Sequence, residues 1–154
     1  MAKIGLVGLG FMAATHLKAY REVKDAQIVA LCNPSGRHLA GDFSDVAGNV
    51  GDNEPIRLEP DSFKGYTAYK EMIADPDIDA IDICAPTFIH RELSVLALNA
   101  GKHVLCEKPL ARSSRDALQI IEAAEKSGKI FMPAMCLRFW PEWKWLKDAV
   151  ADQR

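Results

Sequence analysis

The stretch "KIGLVGLGFMAA", residues 3–14, decides the fold. Residues 3–8 are β-rich and apolar almost throughout, the character of a strand covered on both faces. Glycines follow at once, and Gly8, Gly10 and Ala13 stand in the spacing G-x-G-x-x-A. In that spacing the first glycine permits a tight turn. The second leaves room for a pyrophosphate against the backbone, and the small third residue lets a helix pack closely on the strand. Ala13, Leu17 and Tyr20 then keep helical spacing up to Val23. The start of such a helix offers N–H groups and the positive end of a dipole, which suits a phosphate. The pattern alone is weak, but a strand before it and a helix after it supply its context. Some methyltransferases also use glycine-rich first loops, so these residues leave the adenosine ligand open.

Outward from this loop, strands and helices alternate. "AQIVALC" (26–32) reads as a second strand, with a helix expected from Ser35. Residues 41–62 hold three Gly, two Pro and eight acids or amides without a sustained period, and read as a long, mobile surface insertion. A helix is expected near Thr67–Ala74, then a turn at "DPDID" (75–79) and a strand at "AIDICAP" (80–86). Ile89, Leu93, Leu96, Ala97 and Ala100 form an apolar helical stripe ending at Gly101. "HVLC" (103–106) is a strand, and Ser113 with Asp116 three residues on resembles a capping box for a helix ending at Gly128. "KIFMPAM" (129–135) is a further strand. Short strands apolar on both faces and separated by helices imply an α/β fold: a doubly wound parallel sheet (Rossmann) with helices on both faces.

Composition excludes several classes. The chain has 154 residues, 49% hydrophobic and 26% charged, with a formal charge of −2. That balance, without a basic run, argues against a nucleic-acid surface. No apolar stretch reaches the roughly 18 residues needed to cross a bilayer, and three glycines near the N-terminus argue against a signal peptide. A cytoplasmic location is expected. Cys32, Cys84, Cys106 and Cys136 contain no C-x-x-C and read as buried free thiols. A metal site built from strand ends lacks ligand spacing and histidine partners, so no metal is expected. Asp75, Asp77 and Asp79 alternate like the start of a calcium loop but lack its Gly and distal Glu, and read as a solvated turn. Phe139, Trp143, Leu146 and Val150 form one stripe, expected to pack onto the sheet or against a partner domain.

In a doubly wound sheet, ligands bind outside the carboxyl ends of the strands. The second strand ends in "CNPSGRH" (32–38), with Asn33 where a NAD-binding fold usually carries an acid. An amide does not repel a 2′-phosphate, and Arg37 behind Ser35 can pair with one. That favours NADP over NAD; the alternative is that Asn33 and Ser35 make a turn and cap, with Arg37 in solvent. A further such edge is "CEKP" (106–109). There a lysine ammonium can donate to a substrate hydroxyl and stabilise a developing alkoxide, or give up a proton if its pKa is lowered. Glu107 could balance its charge. Pro109 holds residue 108 away from helical geometry, and a cis Lys108–Pro109 bond would fix the amine's aim.

"GLGFMA", "DIDAIDICAPTFIHRELSVLALNAGKHVLCEKPLA" and "LRFWP" together closely resemble the Gfo/Idh/MocA oxidoreductase family, from Lys3 to about Leu146. The resemblance implies hydride transfer between NAD(P) and a sugar, inositol or related polyol. By position it assigns Gly8, Gly10 and the backbone at Phe11 and Met12 to the pyrophosphate. It places Pro86 and Thr87 along the dinucleotide groove, with Thr87 where the family more often has Asn. It puts His90 near the cofactor, the alternative being a satisfied histidine in the helix's first turn. Glu107, Lys108 and Pro109 match the family's E-K-P signature, with Lys108 as the catalytic residue beside the nicotinamide, and Arg138 matches an arginine at the crevice edge. The family is about twice this length or more. Residues 1–134 are therefore expected to form the dinucleotide-binding domain. Residues 135–154 are expected to form a linker helix toward a substrate domain absent from this chain. The chain alone is expected to bind cofactor without turnover. The implied partner is a small polyol or sugar, with no nucleic acid and no membrane, and homo-oligomerisation of a longer protein is left open. A stand-alone nucleotide-binding or regulatory module is one alternative, and a S-adenosylmethionine-binding transferase domain another.

Overall fold

The strand expected at residues 3–8 forms as β1 (Ala2–Val7), and the helix after its glycine loop as α1 (Phe11–Tyr20). These come from a computed structural model that describes residues 1–46 and 54–151. The chain continues through β2 (Ala26–Cys32), β3 (Lys64–Tyr66), α2 (Tyr69–Ala74) and β4 (Ala80–Ile83). A short 3₁₀ turn (Thr87–Ile89) leads into α3 (His90–Asn99), β5 (His103–Glu107), α4 (Ser114–Ser127) and β6 (Phe131–Ala134). A second 3₁₀ turn (Cys136–Phe139) precedes α5 (Pro141–Ala151).

The six strands lie in the order β3-β2-β1-β4-β5-β6, and every pairing is parallel. From β1 the chain winds one way through β2 and β3, then returns to β4 and winds the other way. The loops after β1 and β4 therefore diverge and open a crevice between them. Adjacent residues of β1 feed opposite faces: Leu6 packs with α1, and Val7 packs with α2, α3 and α4. Each fully buried Leu or Ile in these two layers contributes roughly 1.5–3 kcal/mol.

The helix signals read from sequence correspond to real caps. The Ser113 hydroxyl accepts the Asp116 N–H (3.1 Å) and donates to the Asp116 carboxylate (2.9 Å). Gly128 closes α4 at φ +64, a left-handed conformation that favours glycine. In α3 the buried residues are His90, Leu93, Ser94, Ala97 and Leu98, while Ile89, from the 3₁₀ turn, and Leu96 are half-buried against the same core.

Three expectations are corrected. No helix follows Ser35. Pro34, Gly36 (φ +75) and His38 (φ +62) break the helical path, and Gly36 N–H closes a turn on the Asn33 carbonyl (3.0 Å). The expected mobile insertion is anchored by two buried side chains, residues 47–53 lying outside the described part. Phe43 and Ile56 are each 1% exposed against the α1 layer. Phe43 N–H bonds the Ile56 carbonyl (2.9 Å), and Asp42 and Arg57 form an antiparallel bridge. This loop does the covering work of the missing helix. Finally, of the two placements expected for the aromatic stripe, the sheet is not the one seen: Phe139, Trp143, Leu146 and Val150 are all exposed, and α5 buries no residue.

One row of paired residues shows where the sheet is left open. Leu31, Leu6, Asp82, Leu105 and Met132 lie side by side across β2, β1, β4, β5 and β6. The first three are fully buried, Leu105 is half-buried, and Met132 is 42% exposed. α1 covers the β2–β1–β4 half of this face and leaves the β5–β6 half uncovered.

Candidate functional site

Two cavities meet at the first turn of α1, and Met12 lines both. The first, of about 630 Å³, is the crevice beyond the ends of β1, β2 and β4. Gly8, Gly10, Phe11, Met12, Asn33, Ser35, Arg37 and Pro86 all line it, so residues from three strand ends converge as expected.

The two glycines of the loop do different things. Gly8 sits at φ +83, and a Cβ there would lie 2.6 Å from the Ala85 backbone, so its absence of a side chain lets β1 and β4 approach. Gly10 is extended, and a Cβ there would meet nothing within 4 Å: its space opens to the crevice. Gly10 is also the N-cap of α1 and no side chain caps that end. The N–H groups of the first turn have no intrahelical acceptor, so an anion in the crevice fits both the open space and the donors. Ala13 is fully buried against β1, the close packing its size permits.

At the far end, the Asn33 side-chain amide donates to the Arg37 carbonyl (2.9 Å), and Ser35 Oγ accepts the Arg37 N–H (3.4 Å). Together they shape the turn that carries Arg37. The guanidinium pairs with Asp45 (3.2 Å), both side chains being largely exposed. Such a pair is worth about 0–1 kcal/mol and is easily exchanged.

Other expected residues lie elsewhere. Thr87 opens the 3₁₀ turn after Pro86 and is not among the residues lining the crevice. His90 is buried, with Nδ1 3.0 Å from the Pro109 carbonyl and Nε2 2.8 Å from the Ala85 carbonyl. It fastens the loop after β4 to the turn after β5. Arg138 faces a different cavity, with Trp143, Lys144 and Asp148 of α5.

The second cavity, about 490 Å³ and mainly apolar, lies between α1, the ends of β5 and β6, and the turn to α5. Exposed Lys108 lines it, together with Glu107, His16, Met132, Phe139 and Trp140. The Lys108–Pro109 peptide is cis, as anticipated. The expected charge balance between neighbours is corrected. Glu107 turns its Oε2 to the Lys108 backbone N–H (2.9 Å) and its Oε1 to His16 Nε2 (3.1 Å), because the carboxylate is buried inward while the lysine side chain runs out to solvent.

His16 is what the sequence reading missed. Its Nδ1 lies 2.8 Å from Asp82 Oδ2, which also accepts from the Tyr20 hydroxyl (3.1 Å). Asp82 is fully buried in mid-strand, where an unpaired carboxylate would be very costly. A lone acid inside "AIDICAP", with His16 and Tyr20 one helical turn apart, was the available signal. Burial alone would lower the His16 pKa, but hydrogen bonds and charge from Asp82, then Glu107, raise it overall. Burial, then the charge of Asp82, pushes the Tyr20 hydroxyl and the Cys84 thiol well up. Cys32 and Cys106, also buried, are pushed up to about 12. Cys136, by contrast, is exposed.

Cys84 therefore does have a histidine beside it: ligand atoms of His16, Asp82 and Cys84 lie within 4.8 Å of one another. The ring nitrogen is at proton-sharing distance from the carboxylate and the thiol is held protonated, so the set is already joined by hydrogen bonds.

Fold and crevice define a doubly wound α/β domain whose first loop suits a dinucleotide phosphate. The chain belongs to the Gfo/Idh/MocA oxidoreductase family, with its NAD-binding Rossmann fold, the family model matching residues 2–135. It is 30% identical to the scyllo-inositol 2-dehydrogenase (NADP(+)) of Bacillus subtilis (strain 168), over 96% of this chain and 40% of that protein. With the myo-inositol 2-dehydrogenase of Thermotoga maritima it shares 32% identity, over 97% of this chain and 41% of that one. The crystal structure of a probable dehydrogenase from Thermotoga maritima superposes with a TM-score of 0.78 at 29% identity, covering 97% of this chain and 41% of that chain. The chain thus spans about 40% of the length of these relatives. Among the described residues, no helix is long and apolar enough to cross a membrane.

Proposed function

We propose that the chain is the cofactor-binding part of an oxidoreductase that passes hydride between a nicotinamide dinucleotide and a sugar, inositol or related polyol. The observation that carries this reading is the pair of glycines: Gly8 closed against Ala85, Gly10 open at the uncapped start of α1. Phe11 and Met12 present the pyrophosphate donors, and Asn33, Ser35 and Pro86 shape the groove around the rest of the dinucleotide. The bound nicotinamide supplies the hydride chemistry. Lys108, exposed at the neighbouring strand end, donates to the substrate oxygen and stabilises the charge that grows on it. The polyol class rests on the relatives' own activities.

Residues 1–134 form the dinucleotide-binding domain in this account, and residues 135–154 lead toward a substrate domain. The uncovered β5–β6 face, the apolar cavity beside Lys108 and the exposed aromatic residues of α5 support a covering domain there. Hydride transfer needs both reactants held in near-attack geometry, so these residues by themselves bind cofactor and turn over little or no substrate.

NADP is the favoured cofactor. Asn33 brings no negative charge to the ribose, and Arg37 can exchange Asp45 for a 2′-phosphate. The test is titration of the wild type and Arg37→Ala with NADP and NAD. A charged hydrogen-bonded pair is worth about 1.5–3 kcal/mol, so the variant should lose roughly 10- to 100-fold in NADP affinity while NAD affinity holds. An unchanged preference refutes the assignment of Arg37.

A further inference from the structure

The buried set around His16 does not line the crevice beyond β1, β2 and β4, apart from Cys84, yet it ends on the Lys108 backbone. Both ring nitrogens of His16 face carboxylate oxygens, Asp82 Oδ2 at 2.8 Å and Glu107 Oε1 at 3.1 Å. Ionised carboxylates accept and do not donate, so a ring that serves both must carry two N–H groups. The other groups facing it are the Tyr20 hydroxyl from α1, which donates to Asp82, and the Cys84 thiol from the loop just after β4, 3.4 Å from Nδ1. The Lys108 side chain lines the same cavity. One positive ring between two buried carboxylates offsets one of their two charges, and the Tyr20 hydroxyl and the Lys108 N–H supply further donors to them.

The connection continues past Glu107. Its second oxygen accepts the backbone N–H of Lys108 (2.9 Å), so the carboxylate joins the α1 histidine to the turn that carries the lysine. α1 is also the helix whose first residues, Phe11 and Met12, line the cofactor crevice. We propose that His16 is a positioning residue: bridging Asp82 and Glu107, it holds the Glu107 carboxylate that fixes the Lys108 backbone, and so sets the lysine's place relative to the cofactor-binding helix. This deepens the reading of Lys108 as the catalytic residue and rests on it. His16 itself touches neither reactant in this account. Loss of the Nε2 proton would take the His16 donor from Glu107 and release the Lys108 turn, while Asp82 keeps the Tyr20 hydroxyl.

The test is made by nuclear magnetic resonance on the 154-residue chain, following the His16 ring nitrogens and the Lys108 amide from about pH 5 to about pH 9, around the ordinary imidazole range. Two protonated ring nitrogens are expected at the acid end, together with a downfield Lys108 amide proton typical of a carboxylate acceptor. If the ring titrates in this span, the Lys108 amide moves with the same midpoint; if it stays doubly protonated, the amide stays put. In Glu107→Gln the amide moves upfield and no longer follows His16. Tyr20→Phe, which leaves the His16–Glu107 contact intact, keeps the coupling and controls for general loosening of the cluster. A singly protonated His16 at the acid end overturns the proposal, as does a Lys108 amide unmoved by Glu107→Gln or by titration of the ring. No cofactor or turnover enters this measurement, so it can fail while the crevice still binds NADP, and succeed if the crevice does not.

Discussion

Gly8→Ala and Gly10→Ala separate what one motif does for the fold from what it does for the ligand. At position 8 the new methyl would sit 2.6 Å from both Cα and N of Ala85 and 2.8 Å from the Cys84 carbonyl carbon. These are backbone atoms of the neighbouring loop, so relief requires β1 and β4 to part at their ends. The left-handed backbone (φ +83) adds roughly 1–2 kcal/mol for any residue with a Cβ. With the contact itself costing about as much as overpacking elsewhere, ~1–3 kcal/mol, the total is about 2–5 kcal/mol. For a chain of this size that lowers the melting midpoint by roughly 4–20 °C. At position 10 the methyl meets nothing within 4 Å and the backbone is extended, so stability should stay within about 1 kcal/mol of wild type, the entropy removed from the unfolded chain offsetting alanine's poorer N-cap. The same methyl occupies the space where a pyrophosphate approaches, and NADP affinity should fall at least about tenfold, a loss of about 1.4 kcal/mol. Thermal melts with and without cofactor read both quantities. The reasoning is refuted if Gly10→Ala melts as low as Gly8→Ala, or if Gly10→Ala binds NADP as the wild type does.

The remaining predictions concern packing, pH and the lysine. Phe43→Ala should cost about 3–5 kcal/mol in urea unfolding, the range for a buried aromatic; a change under about 0.5 kcal/mol would mean that the loop is not packed. The raised His16 pKa sets a pH dependence: its stabilisation is fully present below about pH 6.5, its unfolded value, and is lost as pH rises through the higher folded value. Urea midpoints across that window should therefore decline in the wild type, and His16→Gln should remove that part of the slope. Lys108→Met should leave the unfolding free energy within about 0.5 kcal/mol of wild type, as for an exposed side chain, and leave cofactor affinity within a few-fold. In any longer protein that carries this domain and turns over substrate, the same change should abolish hydride transfer, measured by nicotinamide absorbance.

The glycine loop, the apolar runs and the Ser113 and Gly128 caps were legible because each is a local pattern with a local cause. β3 was not, since "KGY" is three residues at the sheet edge with little apolar character. The packing of Phe43 and Ile56 was hidden by the polar residues around them: two side chains separated by 13 positions (56 − 43) have no common period. Gly8, Gly10, Asn33, Ser35 and Arg37 line one crevice because strand ends of a doubly wound sheet must meet there, and Pro86, which the family resemblance placed there, lines it too. His16 escaped because its partners, Asp82 and Glu107, come from two other strands, and only the tertiary fold makes a buried acid at position 82 tolerable. The facing of Glu107 was misread for the same reason: sequence adjacency suggested Lys108 as its partner, while burial turned it to His16.

Calorimetric titration of the chain with NADPH, NADH and S-adenosylmethionine tests the central claim most directly. One-to-one binding of the nicotinamide dinucleotides is predicted, NADPH the tighter, with no heat from S-adenosylmethionine. A folded chain that binds neither dinucleotide, or that takes S-adenosylmethionine in their place, would contradict it.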